Sequence, residues 1–74
     1  MRMVKMLVRA NDRVEITEEP KDYDDGPGMS ETMRCHLGKK AMVMKVIERG
    51  RYALLDIDNG FYAWDVRWLK KVKL

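Results

Sequence analysis

Between residues 38 and 72 a turn signal follows every short apolar run. Gly38-Lys39-Lys40 opens one stretch, Glu48-Arg49-Gly50 closes it, and Asp58-Asn59-Gly60 closes the next. Asn-Gly is among the strongest short hairpin signals, because both residues tolerate positive φ. Turns this close together join antiparallel neighbours only, since a parallel crossover needs about a dozen residues or more. The remainder, Phe61-Tyr62-Ala63-Trp64 followed by Val66-Arg67-Trp68-Leu69, reads as an aromatic return strand, one 3₁₀ turn near residues 66–69 and a short last strand through Val72. The expectation is a mostly β chain folded as a single small five-stranded antiparallel barrel.

Upstream, Asp12-Arg13-Val14-Glu15-Ile16-Thr17 alternates polar and apolar side chains at period two, placing Val14 and Ile16 inward on a first strand. Residues 18–28 form the one long loop, where Pro20, Gly26, Pro27 and Gly28 exclude regular structure. Ser30 is placed to cap a short helical turn over residues 30–36, and Gly38 to end it in the left-handed conformation. The strand over residues 39–48 is apolar on both faces, with Ala41, Val43 and Ile47 on one and Met42, Met44 and Val46 on the other. A bent strand that feeds the core from both sides has this pattern. Residues 1–11 fit neither period cleanly and read as a lead-in segment or edge strand, with 12–74 as the barrel domain. An amphipathic membrane-surface helix there would carry only three basic residues and no aromatic anchor.

A chain of 74 residues makes one domain with a small core. Its seven methionines read as fillers of irregular gaps, Met29 and Met33 being those least expected inside. No run approaches the length of a bilayer span, and Arg2, Lys5 and Arg9 interrupt the first ten residues, which lack the apolar centre of a signal peptide. A single cysteine, Cys35, excludes an internal disulfide and suits a reducing compartment, so a cytoplasmic setting is expected. The net charge of +3 conceals a split: residues 1–31 hold five Lys or Arg against eight Asp or Glu, and residues 32–74 hold ten against four.

The acidic loop Asp22-Tyr23-Asp24-Asp25 lacks calcium-loop spacing, since counting from Asp22 puts glycine at position five and Met33 at twelve. Cys35-His36 offers at most two zinc ligands where four, or three plus water, are needed. One His, one Cys and loop carboxylates do not assemble a base, nucleophile and orienting group. Neither an enzyme nor a resident metal or cofactor is expected.

The order of a long loop after the first strand, a Gly-Lys start to the second, an acidic hairpin tip, an aromatic fourth strand, a 3₁₀ turn and a short closing strand resembles the SH3-like small barrels. It is similar in particular to short phage and prophage proteins that pair an Asp-Gly-Pro-Gly loop, here Asp25-Gly26-Pro27-Gly28, with a downstream Gly-Lys and a tryptophan-bearing strand near the C-terminus. The repeats of Mind bomb and related ubiquitin ligases have a similar layout. The resemblance spans residues 12–72 and implies the barrel fold and a binding role. The chain lacks the Ala-Leu-Tyr-Asp-Tyr segment and adjacent tryptophans of peptide-binding SH3 domains, so it does not imply a polyproline groove.

Five large aromatics, Tyr52, Phe61, Tyr62, Trp64 and Trp68, exceed what a small barrel hides. Phe61 is expected inward with Leu55, Ile57 and Leu69, and Tyr62 or Trp64 partly outward; the alternative to an exposed platform is that Trp64 and Trp68 are core caps packing on the 3₁₀ turn. The partner-contact set is then Tyr23, Asp24 and Asp25 of the loop with Tyr62, Trp64, Arg67 and Trp68, flanked by Arg51 and Lys70. Such a platform serves either protein-interface anchoring or base stacking. Nucleic acid would draw on Lys39, Lys40, Lys45, Arg49, Arg51, Lys70, Lys71 and Lys73, but Asp56, Asp58 and Asp65 surround the hairpin and repel phosphate. A protein partner, bound by a monomer or weak dimer acting as adaptor or modulator, is therefore expected first, and nucleic acid second.

Overall fold

The computed structural model of the chain describes residues 8–72. Residues 1–7, the bulk of the lead-in segment, and Lys73 lie outside them. Five antiparallel strands form one sheet in the order β4-β3-β2-β1-β5: β1 is Arg13–Ile16, β2 Lys40–Ile47, β3 Tyr52–Leu55, β4 Ala63–Asp65 and β5 Leu69–Lys71. Strand β2 is the long one, and its two halves serve different neighbours. Its first half pairs with β1, Val14 opposite Ala41, while its second half pairs with β3, Val43 opposite Leu55. A register shift between Val43 and Lys45 bends it there.

That bulge changes which side chains face in. An extra residue reverses the alternation, so Val46 packs against the core beyond it, whereas a straight strand would have sent Ile47. Met44, at the bulge, is left 52% exposed. The edge strands β4 and β5 are joined by the 3₁₀ turn Val66–Trp68 but do not pair with each other, so the sheet is strongly bent without being closed as the barrel expectation required. Val8 to Asn11 form no strand either: Asn11 takes a φ of 76°, and Arg9 and Asp12 close a turn on each other before β1 begins.

The core comprises Val14, Ile16, Met29, Met33, Val43, Ala53, Leu55, Trp64 and Trp68. Both methionines least expected inside are therefore buried. The cause is α1, Glu31–Arg34, which Ser30 caps by accepting from the Met33 amide at 3.3 Å, so that Met33 is laid onto the sheet. The helix is shorter than residues 30–36 suggested, and turns carry the chain on to Gly38 at φ 79°.

The hairpin after β3 departs furthest from the sequence reading. Strand β3 stops at Leu55 because Asp56–Asp58 coil into a 3₁₀ turn, with the Asp56 carboxylate accepting from the Met42 amide at 2.9 Å. Asn59 and Gly60 then take φ of 56° and 74°, as an Asn-Gly pair can, but inside a wider connection than a two-residue turn. The return strand begins only at Ala63, and its phase is opposite to the one expected: Trp64 points inward at 0% exposure and Phe61 outward at 77%. Replacing Gly60 with Val should lower unfolding free energy by at least about 1 kcal/mol, since a β-branched residue resists positive φ. An unchanged denaturant midpoint would refute this account of the turn.

Candidate functional site

Two carboxylates organise the two ends of β4. Asp58 lies at the hairpin tip, and its Oδ1 accepts from the Gly60 and Phe61 amides at 3.1 and 3.2 Å. Its Oδ2 accepts from the Tyr62 amide at 3.4 Å and the Trp64 indole Nε1 at 3.1 Å. One side chain thus holds four donors and fixes the path of residues 60–64 into β4. On this rigid tip Phe61 projects outward and meets the Tyr62 ring edge-to-face at 4.8 Å. The sulfur of Met44 lies beside Gly60, so the exposed residues of the bulge and the hairpin adjoin.

Asp65 is the second organiser. It is a buried charged residue, 3% exposed, at the end of β4. It accepts from the Arg67 amide and Nε, both at 2.9 Å, and from Nη2 at 2.6 Å. Burial alone would raise its pKa, but these hydrogen bonds outweigh that and hold the carboxyl below its ordinary value of 3.8. Arg67 is in turn stacked on the Tyr23 ring, its guanidinium carbon 3.6 Å from the ring centre, and reaches Asp25 Oδ1 at 2.8 Å. Held by both carboxylates, the guanidinium keeps its proton more tightly than usual. Arg51 completes the set, donating to the Asp25 carbonyl at 2.9 Å and lying 3.4 Å from its carboxylate. Hydrogen bonding to Arg67 is the main reason Asp25 is also more acidic than an ordinary aspartate.

The long loop is consequently pinned along its length. The Lys21 backbone carbonyl accepts from the Trp68 Nε1 at 2.8 Å, Tyr23 and Asp25 engage Arg67, and Met29 enters the core. Gly26 packs so closely on Tyr52 that a Cβ would lie 2.5 Å from the phenol oxygen. Acidic loop and basic second half satisfy each other here. Asp65 and Tyr52, which close this docking, stand in the sequence only as a carboxylate near the hairpin and one of five aromatics. Asp65, two positions before Arg67, was the available signal, because Asp readily accepts from an amide two residues on.

Trp64 and Trp68 take the core-cap alternative, so the aromatic platform with Tyr62 is not presented. Trp64 and Trp68 are 0% and 2% exposed, their indole N–H groups bonded inward, and Tyr62 is half-buried against the core. Phe61, expected inside, takes the outward place. Of the loop residues, Asp24 is exposed, while Tyr23 and Asp25 are engaged with Arg67. Among the basic residues, Lys39, Lys40, Lys45, Arg49 and Lys70 are exposed, Arg51 holds Asp25, and Lys71 lies 3.4 Å from Asp12. They do not form one patch: Glu15 sits between Lys40 and Lys70 in the strand register.

Among the described residues no group of His, Cys, Asp and Glu is arranged to hold a metal ion, and no helix is long and apolar enough to cross a membrane. Cys35 is exposed, while His36 packs edge-on against Trp64 at 6.2 Å. A cleft of about 340 Å³ opens between Arg49-Gly50-Arg51 on one side and Asp65-Val66-Arg67 on the other, with Asp25 at its rim. The geometry defines a small antiparallel β domain with an aromatic tip and an arginine-lined cleft. Comparison of the chain with protein-family models, curated proteins and solved structures found no match.

The pinning of the loop has a pH dependence of definite sign. Asp25 and Asp65 are more acidic in the folded state than in the unfolded chain. Below the ordinary value of 3.8 the unfolded state therefore binds more protons, and stability is lost as pH falls through the folded pKa values. Denaturant melts between about pH 6 and pH 2 should show this loss, and Asp65→Asn should flatten it while lowering stability near neutrality. An identical pH profile for the variant would refute the role given to Asp65.

Proposed function

We propose that this chain is a non-enzymatic binding module that docks on a protein partner, an adaptor or modulator of the kind that its resemblance to short phage and prophage proteins implies. The observation that carries the proposal is Phe61, a large aromatic 77% exposed on a hairpin that Asp58 holds rigid. Aromatic side chains dominate interface energetics when they fill a partner's pocket, and a pre-organised anchor loses little freedom on binding. Met44, 52% exposed and adjoining the same tip, extends the apolar contact. The partner is accordingly a protein surface offering an apolar pocket to an aromatic knob.

The strand order, the long loop after β1 and the 3₁₀ turn before a short closing strand support the small-barrel kinship behind this reading. Nucleic acid is the lesser reading, because the exposed lysines are dispersed and interrupted by Glu15.

Phe61→Ala provides the test. The variant should unfold within about 0.5 kcal/mol of the parent, since the ring is exposed. It should lose partners captured by the immobilised parent chain from nuclease-treated host lysate, with affinity for any purified partner reduced roughly tenfold or more. Capture from untreated lysate that survives the substitution but is absent from nuclease-treated lysate would overturn the proposal in favour of nucleic acid.

A further inference from the structure

The arginine-lined cleft is separate from the Phe61 tip, and its charge is unbalanced. Three guanidiniums, those of Arg49, Arg51 and Arg67, line it against two carboxylates, Asp25 and Asp65. Arg67 is committed to both carboxylates and to the Tyr23 ring. Arg51 reaches Asp25 through one nitrogen, Nη2, in both of its contacts, which leaves its remaining N–H donors outside the pair. Arg49 has no ion-pair partner among the described residues. Its position follows from the β2–β3 turn, where Glu48, Arg49 and Gly50 take successive φ of 53°, 57° and 88°. This left-handed curl brings the Arg49 side of the turn over the cleft beside Arg51, where an ordinary strand continuation would carry it away.

We infer that this cleft receives a carboxylate side chain from an acidic peptide segment, held by Arg49 and the free donors of Arg51, with Val66 as its apolar wall. Guanidinium groups match carboxylates geometrically and bind them through paired hydrogen bonds. Asp25 supplies the internal precedent: its carboxylate already lies between Arg67 and Arg51 with 58% of its side chain exposed, so the same donors accept this chemistry at the edge of solvent. A glutamate on an extended peptide approaches the unpaired arginine as a single point of charge. A continuous polyphosphate backbone would also run against the Asp25 carboxylate, which is exposed in the cleft lining. Carboxylate is thus favoured over nucleic-acid phosphate.

The full chain with ¹⁵N-labelled arginines, titrated with acetylated hexaglutamate at constant ionic strength, tests the inference, with an octathymidylate titrated in parallel. The Nε resonances of Arg49 and Arg51 should shift saturably with hexaglutamate, and those of Arg13 and Arg34 should stay in place. Arg49→Gln should weaken binding about fivefold without altering the melting temperature, since it removes one partly exposed charge pair and no contact of the fold. Arg51→Lys, which keeps the charge but loses the planar fork, should fall between parent and Arg49→Gln. Phe61→Ala should bind hexaglutamate like the parent, so the two surfaces stand or fall independently. Equal shifts at every arginine, binding unaffected by Arg49→Gln, or a stronger response to octathymidylate would each overturn the inference, the last assigning the cleft to phosphate.

Discussion

Two indole rings sit at the centre of the core, and each arrives with an N–H that must be bonded once water is excluded. An unpaired polar group in that position costs about 1–3 kcal/mol, a large share of the stability of so short a chain. Trp64 solves the problem through the Asp58 carboxylate and Trp68 through the Lys21 carbonyl. The first bond draws in the hairpin tip and the second draws in the long loop. What look like two peripheral segments are therefore set by the requirements of the interior, and the surfaces they carry, Phe61 on one side and the arginine cleft on the other, inherit that rigidity.

The elements legible in the residues were those governed by local rules. Val14 and Ile16 alternate cleanly and are buried; Ser30 caps a helix; Gly38, Asn59 and Gly60 adopt positive φ; the turn before β5 is 3₁₀. What failed were the phases that distant contacts decide. The bend of β2 and its two core-feeding faces were expected, but no feature of an apolar run marks where the extra residue is accommodated, here beside Met44, between the buried Val43 and the core-packed Val46. The coil at Asp56–Asp58 shortens β3 and delays β4, so Phe61 and Trp64 exchange the places that counting by two assigned them. Trp64 goes inward because it is the residue whose polar edge Asp58 can reach.

The candidate surfaces were less legible than the fold for the same reason. The charge split along the chain is legible in the sequence, yet the pairing of acidic loop with basic half depends on Asp65 at 3% exposure, whose burial is visible only after the strands are placed. Arg51 and Arg67 read alike in the sequence but differ in the structure, where Arg67 is bonded to Asp65 and Asp25 and stacked on Tyr23, and Arg51 contacts only Asp25 of the loop. Arg49 stands apart from both because three left-handed residues in succession cannot be anticipated from Glu-Arg-Gly, where glycine alone favours that region.

The pairing of β1 with β5 joins nearly opposite ends of the chain, Val14 lying beside Lys71 and Ile16 beside Leu69. Closing so long a loop is the costliest pairing in the sheet, whereas β2, β3 and β4 connect through neighbours. Because the two strands run antiparallel, Arg13 and Val72 sit at the same end of the pair, joined by the bond from the Val72 amide to the Arg13 carbonyl. A mechanical load applied between these ends would peel the strands apart one hydrogen bond at a time and never strain the whole row together. The seam between β1 and β5 therefore yields to tension in sequence, bond by bond.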